Sequence, residues 1–361
     1  MYDMFQVLMI CILTIVISLI ITPINKALSF KIGAVDNPSK RRMNKVVMPT
    51  MGGLGIYTAS FLSLFLFQPI SSEYLLPIFI SSTIIILTGV LDDIKEVKPK
   101  IKLLGIIVAA LIVYYWADIS IDMITLPIFG EVQFGFLSLP ITIIWIIAIT
   151  NAINLIDGLD GLATGVSIIA LTTMGIIGFF FLQTNRIPVT ILVFTVIASA
   201  VGFLPYNFHP ATIYLGDTGA LFLGFIISIV SLQGLKNATI ISFLIPILIL
   251  GIPITDTFYA IIRRIWNKKP ITSADKNHMH HRLMSMGLTH RQTVLFLYLF
   301  AALFSITALI FPISSSTSIL LLMAVILLGI EVFVEVIGLV SEDYRPVLKF
   351  IKRVFAKINK K

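Results

Sequence analysis

The amino-acid sequence predicts an all-α polytopic membrane protein with about eleven transmembrane helices. Of its 361 residues, 58% are hydrophobic and 12% are charged, whereas soluble domains carry about 25% charged residues. Apolar runs of about 20 residues recur from end to end, and each is long enough to cross ~30 Å of hydrocarbon as a helix. These runs place the spans near residues 5–25, 52–70, 74–91, 101–117, 138–155, 162–182, 187–205, 217–234, 238–258, 293–311 and 317–336.

The basic residues predict the orientation of these spans. The loops after the odd-numbered spans and the C-terminal tail hold nearly all of the 26 lysines and arginines, and the side richer in such residues is cytoplasmic. The N-terminus is therefore predicted outside and the C-terminus in the cytoplasm. The net charge of +8 follows from this topology. No nucleic-acid partner is expected, because no basic residues cluster on a folded surface.

Two segments fall outside the spans. The sequence ITLPIFGEVQFGF has two apolar runs around a Phe-Gly-Glu turn, which predicts a small external β-hairpin near 124–136. Residues 1–340 form one integral membrane catalytic domain in this interpretation. Residues 341–361 form a basic amphipathic cytoplasmic tail that lies along the anionic inner leaflet.

Compact polar clusters follow the third, fifth, seventh and ninth spans, all on the predicted cytoplasmic side. Ionisable residues at membrane depth are costly and tend to mark functional sites, although polar loops by themselves give a simpler interpretation. The clusters are TGVLDDIKEVKPK (Asp92, Asp93), NAINLIDGLDG (Asn151, Asn154, Asp157, Asp160), PYNFHPATIYLGDTG (Asn207, Asp217) and ADKNHMHHRLMSMG (His278, His280, His281, Arg282).

The charge of the two central clusters indicates a metal ion. Their loops contain no lysine or arginine, so a cation from solution would balance Asp157, Asp160 and Asp217. Carboxylate and amide oxygens suit Mg²⁺, which often shares its coordination with substrate phosphates. If the helix continues through residue 160, the three-residue spacing places Asn154 and both aspartates near one face. Asp217 could alternatively be an N-cap of the eighth span.

Other charged residues have structural interpretations. Lys45 lies in KRRMNKVVMPTMGG, which could contact an anion or act as a positive-inside anchor. Asp256 is interpreted as ion-paired with Arg263 and Arg264 at a helix end. Glu331 and Glu335 are interpreted as marking where the last span approaches water. The sequence lacks GxxxxGK[ST] and GxSxG, which argues against ATP hydrolysis and a serine nucleophile.

Five motifs in order, from about residue 38 to 291, resemble the polyprenyl-phosphate N-acetylhexosamine-1-phosphate transferases of glycosyltransferase family 4. They are PTMGG, DDIKE, NLIDGLDGLATG, PYNFHPA with LGDTG, and HMHHR. HMHHR is similar to the branch that uses UDP-N-acetylglucosamine. The branch that transfers phospho-MurNAc-pentapeptide has a histidine triplet followed by Phe-Glu, which this chain lacks. The likeness is greatest to members that start wall teichoic acid synthesis, and members that start enterobacterial common antigen and O-antigen are an alternative.

The resemblance implies transfer of N-acetylglucosamine 1-phosphate from UDP-GlcNAc to undecaprenyl phosphate, with release of UMP at the cytoplasmic face of the plasma membrane. The resemblance also implies Mg²⁺ as the cofactor, with Mn²⁺ as a substitute. It further implies contact with membrane lipid and assembly as a homodimer. Single-step attack and a phospho-aspartate intermediate both remain open. The implied metal ligands are Asn154 and Asp217. The implied catalytic residues are Asp92, Asp93, Asp160, His280 and His281. The implied substrate-binding residues are Lys45, Asp157, Asn207, His278 and Arg282.

Rival functions fit the same residues less well. A transporter usually places its charges near the midplane, whereas these clusters lie at one face. A prenyl-group transferase would need a stricter DDxxD than DDIKE, which has Glu96 at the fifth position. A CDP-alcohol phosphotransferase would need DGxxAR, and the arginine is missing after Asp157-Gly158. A membrane scaffold without chemistry would not explain five polar clusters.

Overall fold

The protein is a helical bundle in the computed structural model, which describes residues 4–38, 46–126, 130–181, 187–235, 238–268, 270, 277–341 and 345–358. The predicted all-α membrane class is confirmed. The helices are α1 (Met4–Ile32), α2 (Gly52–Phe67), α3 (Ser72–Lys95), α4 (Pro99–Trp116), α5 (Ser138–Ile156), α6 (Leu162–Phe181), α7 (Ile187–Asn207), α8 (Gly216–Leu235), α9 (Ile240–Ile249), α10 (Gly251–Trp266), α11 (Met279–Ser285), α12 (His290–Ile310), α13 (Ser316–Ile337) and α14 (Pro346–Ile358).

Within those ranges, nine helices are long and apolar enough to cross a membrane, and α2 is a shorter apolar helix. The ninth predicted span differs, because it is divided into α9 and α10 at Leu250. Pro253 fits the first turn of α10, because the backbone N–H that proline lacks would have no partner within the helix there. The orientation and the number of spans remain predictions.

Short strands join loops that are distant in sequence. The hairpin predicted near 124–136 is present as β3 (Met123–Leu126) and β4 (Gly130–Gln133), which pair antiparallel. A third strand, β5 (Ala238–Thr239), pairs parallel to β3, and sequence reasoning had placed it inside a span. β1 (Val35–Asp36) pairs antiparallel with β2 (Met48–Pro49).

Helix α8 lies at the centre of the bundle, and 83% of its residues Gly216–Gln233 are buried. Two glycines allow its first turn to touch neighbouring helices. A Cβ on Gly53 of α2 would lie 1.9 Å from Cα of Gly219, and a Cβ on Gly89 of α3 would lie 2.4 Å from Cα of Thr218. Since no side chain fits in these gaps, the three helix backbones meet directly beside Asp217.

The C-terminal tail forms the helix α14, which Glu335 of α13 caps. The Glu335 carboxylate accepts hydrogen bonds from the backbone N–H groups of Val347 and Leu348, both at 2.8 Å. Glu335 is only 1% exposed, so the interpretation that it marks an approach to water is wrong. Glu331 accepts a hydrogen bond from the hydroxyl of Tyr259. The division into a membrane domain and a tail on the inner leaflet stays a prediction.

Candidate active site

The polar clusters converge on one cavity of about 490 Å³. Most of the predicted site residues line it, although they come from four separate stretches of the chain. The lining includes Asp36, Asp92, Asp93, Glu96, Lys102, Asn154, Asp157, Asp160, Asn207, Asp217, His281 and His290.

Lys102 bridges two carboxylates of the cavity. Its Nζ lies 2.7 Å from Oδ2 of Asp92 and 2.8 Å from Oδ1 of Asp217. Nδ2 of Asn154 donates to the same oxygen of Asp217 at 2.7 Å. The C-terminal ends of α3 and α5 and the first turns of α4 and α8 therefore meet at Asp217.

Asp93 has a different role from its neighbour Asp92. Its Oδ1 accepts a hydrogen bond from the backbone N–H of Asp217 at 3.0 Å, and its Oδ2 accepts from the N–H of Thr218 at 3.1 Å and from the Thr218 hydroxyl. Asp93 thus caps the first turn of α8. The alternative interpretation of Asp217 as the N-cap does not hold, since its carboxylate faces Lys102 and Asn154.

The charges of the cavity fit a divalent cation. Seven carboxylates line it, and Lys102 is the one lysine or arginine among the described lining residues. Excess negative charge in a confined site favours a bound cation. Asn154 and Asp217, which were predicted as the metal ligands, are in contact and offer the amide and carboxylate groups that suit Mg²⁺.

The segment 157–161 is a turn rather than a continuation of α5. The helix ends at Ile156, and Asp157 follows with φ −76° and ψ 53°. The helical spacing assumed for Asn154, Asp157 and Asp160 is therefore wrong beyond Ile156. Burial raises the pKa of Asp157 well above its ordinary value, and the charges of Asp217, Asp93 and Asp160 raise this pKa further.

Asp160 is held by residues from the loop after α7 and from the start of α12. Its Oδ2 lies 2.8 Å from Nδ1 of His209 and accepts from the N–H of Ala211 at 3.1 Å. The N–H of Asp160 donates to Nε2 of His290 at 2.9 Å. One carboxylate oxygen of Asp160 and one ring nitrogen from each of His209 and His290 lie within 4.8 Å of one another. The hydrogen bond to Nε2 of His290 and the contacts of Asp160 with His209 and Ala211 hold the 157–161 turn in place.

Asn207 lies on the cavity wall, but both ends of its amide are engaged. Its Oδ1 accepts from the hydroxyl of Thr164 at 2.7 Å, and its Nδ2 donates to the carbonyl of Ile213 at 3.1 Å. These bonds hold the loop that leads to Asp217. A nucleotide contact by Asn207 stays a prediction.

The HMHHR motif is divided between the cavity and the protein interior. His281 lines the cavity. His280 is 3% exposed, and a Cβ on Gly158 would lie 2.4 Å from its Nε2, so its ring packs against the 157–161 turn. Burial first, and then the nearby charge of His281, lower the pKa of His280 to about 3. We conclude that its imidazole is neutral at physiological pH.

One expectation about this region is wrong, and two predicted substrate-binding residues do not line the cavity. His278 is buried and pairs with Asp256, at 2.8 Å between Nδ1 and Oδ2. Asp256 is therefore engaged with α11, whereas it was expected to pair with Arg263 and Arg264. Nε of Arg282 donates to the carbonyl of Ile337 at 3.1 Å. Neither His278 nor Arg282 is among the cavity-lining residues, because His278 contacts Asp256 of α10 and Arg282 contacts the end of α13. The predicted Lys45 lies outside the described residues.

Known proteins resemble this chain over three quarters of its length or more. The profile of glycosyl transferase family 4 matches residues 75–235. A protein of Bacillus subtilis (strain 168), described as "Probable undecaprenyl-phosphate N-acetylglucosaminyl 1-phosphate transferase", is 44% identical over 354 residues, which cover 97% of this chain and 98% of that protein. This chain belongs to glycosyl transferase family 4. The resemblance inferred from its motifs is thereby confirmed.

Other relatives carry different substrate names. A protein of Mycobacterium leprae (strain TN), described as "Decaprenyl-phosphate N-acetylglucosaminephosphotransferase", is 27% identical. The aligned region covers 86% of this chain and 85% of that protein. A "Phospho-N-acetylmuramoyl-pentapeptide-transferase" of Chlorobium chlorochromatii (strain CaD3) is 31% identical. The aligned region covers 76% of this chain and 82% of that protein. Membership of glycosyl transferase family 4 therefore does not by itself determine the sugar or the lipid.

Sequence reasoning missed several cavity residues of this family member. Lys102 was not singled out, because the lysines Lys98 and Lys100 precede it closely on the basic, predicted cytoplasmic side. A signal was present, since Lys102 is the second residue of the predicted span 101–117. His209 and His290 were missed because each is a single histidine, and only the fold places their rings 4.1 Å apart between centroids.

Proposed function

We propose that this protein transfers N-acetylglucosamine 1-phosphate from UDP-GlcNAc to undecaprenyl phosphate at the cytoplasmic face of the plasma membrane. The products are undecaprenyl-pyrophosphoryl-GlcNAc and UMP. This reaction is the first membrane step in the synthesis of an envelope polymer, wall teichoic acid. The observation that carries the proposal is the contact of Asp92, Lys102, Asn154 and Asp217 in a cavity at the ends of membrane-crossing helices. The names of the Bacillus subtilis and Mycobacterium leprae relatives support the same chemistry.

The reaction is a phosphoryl transfer. An oxygen of the lipid phosphate attacks the β-phosphorus of the nucleotide sugar, and the bond from that phosphorus to the bridging oxygen breaks. The bridging oxygen leaves with UMP. Such transfers depend mainly on positioning and on stabilisation of charge.

Asn154 and Asp217 would hold a Mg²⁺ ion, or Mn²⁺ as a substitute. A metal ion bound there supplies charge neutralisation for the diphosphate and for departing UMP. Lys102 contributes a positive charge that stays in the cavity and can attract the phosphates. Asp157 and Asp160, on the 157–161 turn, would contact the nucleotide sugar, and His281 lines the same cavity.

The acceptor needs little help from a base. A phosphate monoester has its second pKa near ~6 and is largely ionised at neutral pH. Asp92 therefore acts as an orienting group beside Lys102 in the single-step route. The rival route through a phospho-aspartate would also require a free carboxylate oxygen, and Asp93 has both of its oxygens engaged by α8. We favour the single step because the acceptor phosphate is already ionised, and the rival route would have to use Asp92, whose Oδ2 contacts Lys102.

A second candidate is the transfer of phospho-MurNAc-pentapeptide, which the 31% identical relative from Chlorobium is named for. The sequence HMHHR at 278–282 favours UDP-GlcNAc over this donor. A membrane transporter is the candidate from another class, and the position of the cavity at the helix ends argues against it.

The deciding experiment measures UMP release by the purified protein with undecaprenyl phosphate and Mg²⁺. The donors are UDP-GlcNAc, UDP-GalNAc and UDP-MurNAc-pentapeptide, and reactions without lipid serve as controls. We expect UMP only with UDP-GlcNAc and lipid together. Release with the pentapeptide donor alone would replace the proposed substrate. No release with any donor, combined with ion flux in proteoliposomes, would favour the transporter.

A further inference from the structure

We propose that Asp256, a buried carboxylate outside the cavity, is a positioning residue that fixes helix α11 and thereby places His280 and His281 at the active site. The inference rests on the proposed function and adds to it a residue that does not touch the substrates. Asp256 lies in α10 and is 1% exposed. A buried carboxylate is costly unless its oxygens are hydrogen-bonded.

Both oxygens of Asp256 are engaged by the start of α11. Oδ2 lies 2.8 Å from Nδ1 of His278, and Oδ1 accepts from the N–H of Met279 at 2.8 Å. Since a carboxylate can only accept, Nδ1 of His278 carries the proton and donates. One side chain of α10 thus determines the position of α11 relative to it.

The other contacts of α11 leave it little freedom. Nε of Arg282 donates to the carbonyl of Ile337 at the end of α13, and the side chains of Met279 and Leu283 are buried. Helix α11 is therefore held between α10 and α13. A displacement at its first residue would move the histidines that follow.

His280 transmits the position of α11 to the turn 157–161. Its ring is parallel to that of His278, with 3° between planes and 6.0 Å between centroids. Its Nε2 faces Gly158 and has no hydrogen-bond partner among the described residues. The contact between His280 and the turn is therefore steric. The turn carries Asp157 and Asp160 into the cavity, and His281 adds its own side chain to the wall.

The test replaces Asp256 by leucine, which has similar volume and no acceptor, and by asparagine, which keeps an acceptor for Met279. We expect Asp256→Leu to lower kcat for UMP release about 10-fold or more, because small misplacements of reacting groups are costly. We expect an unchanged KM for undecaprenyl phosphate, and Asp256→Asn within about threefold of the wild type. If Asp256→Leu does not fold, His278→Leu removes one of the two bonds and should give an intermediate loss of kcat.

A second readout does not depend on turnover. In Asp256→Leu, amide hydrogen exchange should become faster in 279–285 and in 157–161, and it should stay unchanged in α3. If the wild type releases no UMP, the proposed function fails while this exchange measurement still tests the positioning role.

Glu335→Gln is the matched control. Glu335 is also 1% exposed and also holds the start of a helix, α14, but it does not line the cavity. Its substitution should speed exchange in α14 and leave kcat unchanged. Unchanged kcat and unchanged exchange in 157–161 for Asp256→Leu would overturn the proposal. So would faster exchange across α3 as well, which would indicate general destabilisation.

Discussion

Nζ of Lys102 lies 2.8 Å from Oδ1 of Asp217, although the two residues are 115 positions apart in sequence. The same ammonium lies 2.7 Å from Asp92. The turn between α3 and α4 brings Lys102 back to Asp92. The first turn of α8 places Asp217 beside Lys102 as well. This contact joins the lipid-phosphate side of the proposed reaction to its metal side.

Substitution of Lys102 by methionine should lower kcat/KM for UMP release about 10-fold or more, since a charge-assisted contact to phosphate or carboxylate is lost. Methionine keeps an unbranched chain of similar length and removes the charge. Lys100→Met is the matched control, because Lys100 is an exposed lysine at the start of the same helix, α4, and does not line the cavity. Equal activity of the two variants would remove Lys102 from the site.

Substitution of Asp217 by alanine should abolish Mg²⁺-dependent release of UMP and leave the protein folded. The comparison variant is Asp93→Asn, which weakens the cap of α8 and should lower the free energy of unfolding by about 1 kcal/mol. UMP release during a Mg²⁺ titration, together with thermal unfolding in detergent, separates the two roles. Normal turnover by Asp217→Ala would contradict the assignment of the metal site.

Substitution of Gly89 by alanine should destabilise the protein by roughly 1–3 kcal/mol. The new Cβ would lie 2.4 Å from Cα and 2.6 Å from N of Thr218, and backbone atoms cannot rotate away. The first turn of α8 would have to move, and Asp217 with it. Gly329→Ala is the control, since a Cβ there meets nothing within 4 Å. Thermal unfolding of both variants checks the prediction, which fails if Gly89→Ala is as stable as Gly329→Ala.

Acidification should destabilise the protein through His280. Burial lowers its pKa from 6.5 to about 3, so the unfolded chain binds a proton between these values that the folded protein does not. The contribution of His280 to stability is present above pH 6.5 and is lost as the pH falls toward 3, with a slope of about 1 kcal/mol per pH unit. In His280→Gln, the melting temperature should depend less on pH between 7 and 5. An identical pH dependence in both proteins would show that His280 is not buried in its neutral form.

Much of this protein follows from its sequence. Apolar runs of membrane-spanning length predicted the helices, because each such segment must satisfy its own backbone hydrogen bonds in lipid. The hairpin at 123–133 follows from local alternation around a glycine turn, which involves only neighbouring residues. The polar clusters at helix ends predicted most of the cavity, because charged groups are excluded from the hydrocarbon.

The tertiary structure alone decided which polar group performs which role. Asp92 and Asp93 are adjacent in sequence, yet one faces Lys102 and the other caps α8, and this depends on how α3 meets α8. His278 and His281 share one motif, yet α10 buries the first while the second lines the cavity. Composition and spacing determined what kinds of groups are present at the membrane face. The partner of each group depends on contacts between helices more than 20 and up to 130 residues apart, and local sequence carries no record of such contacts.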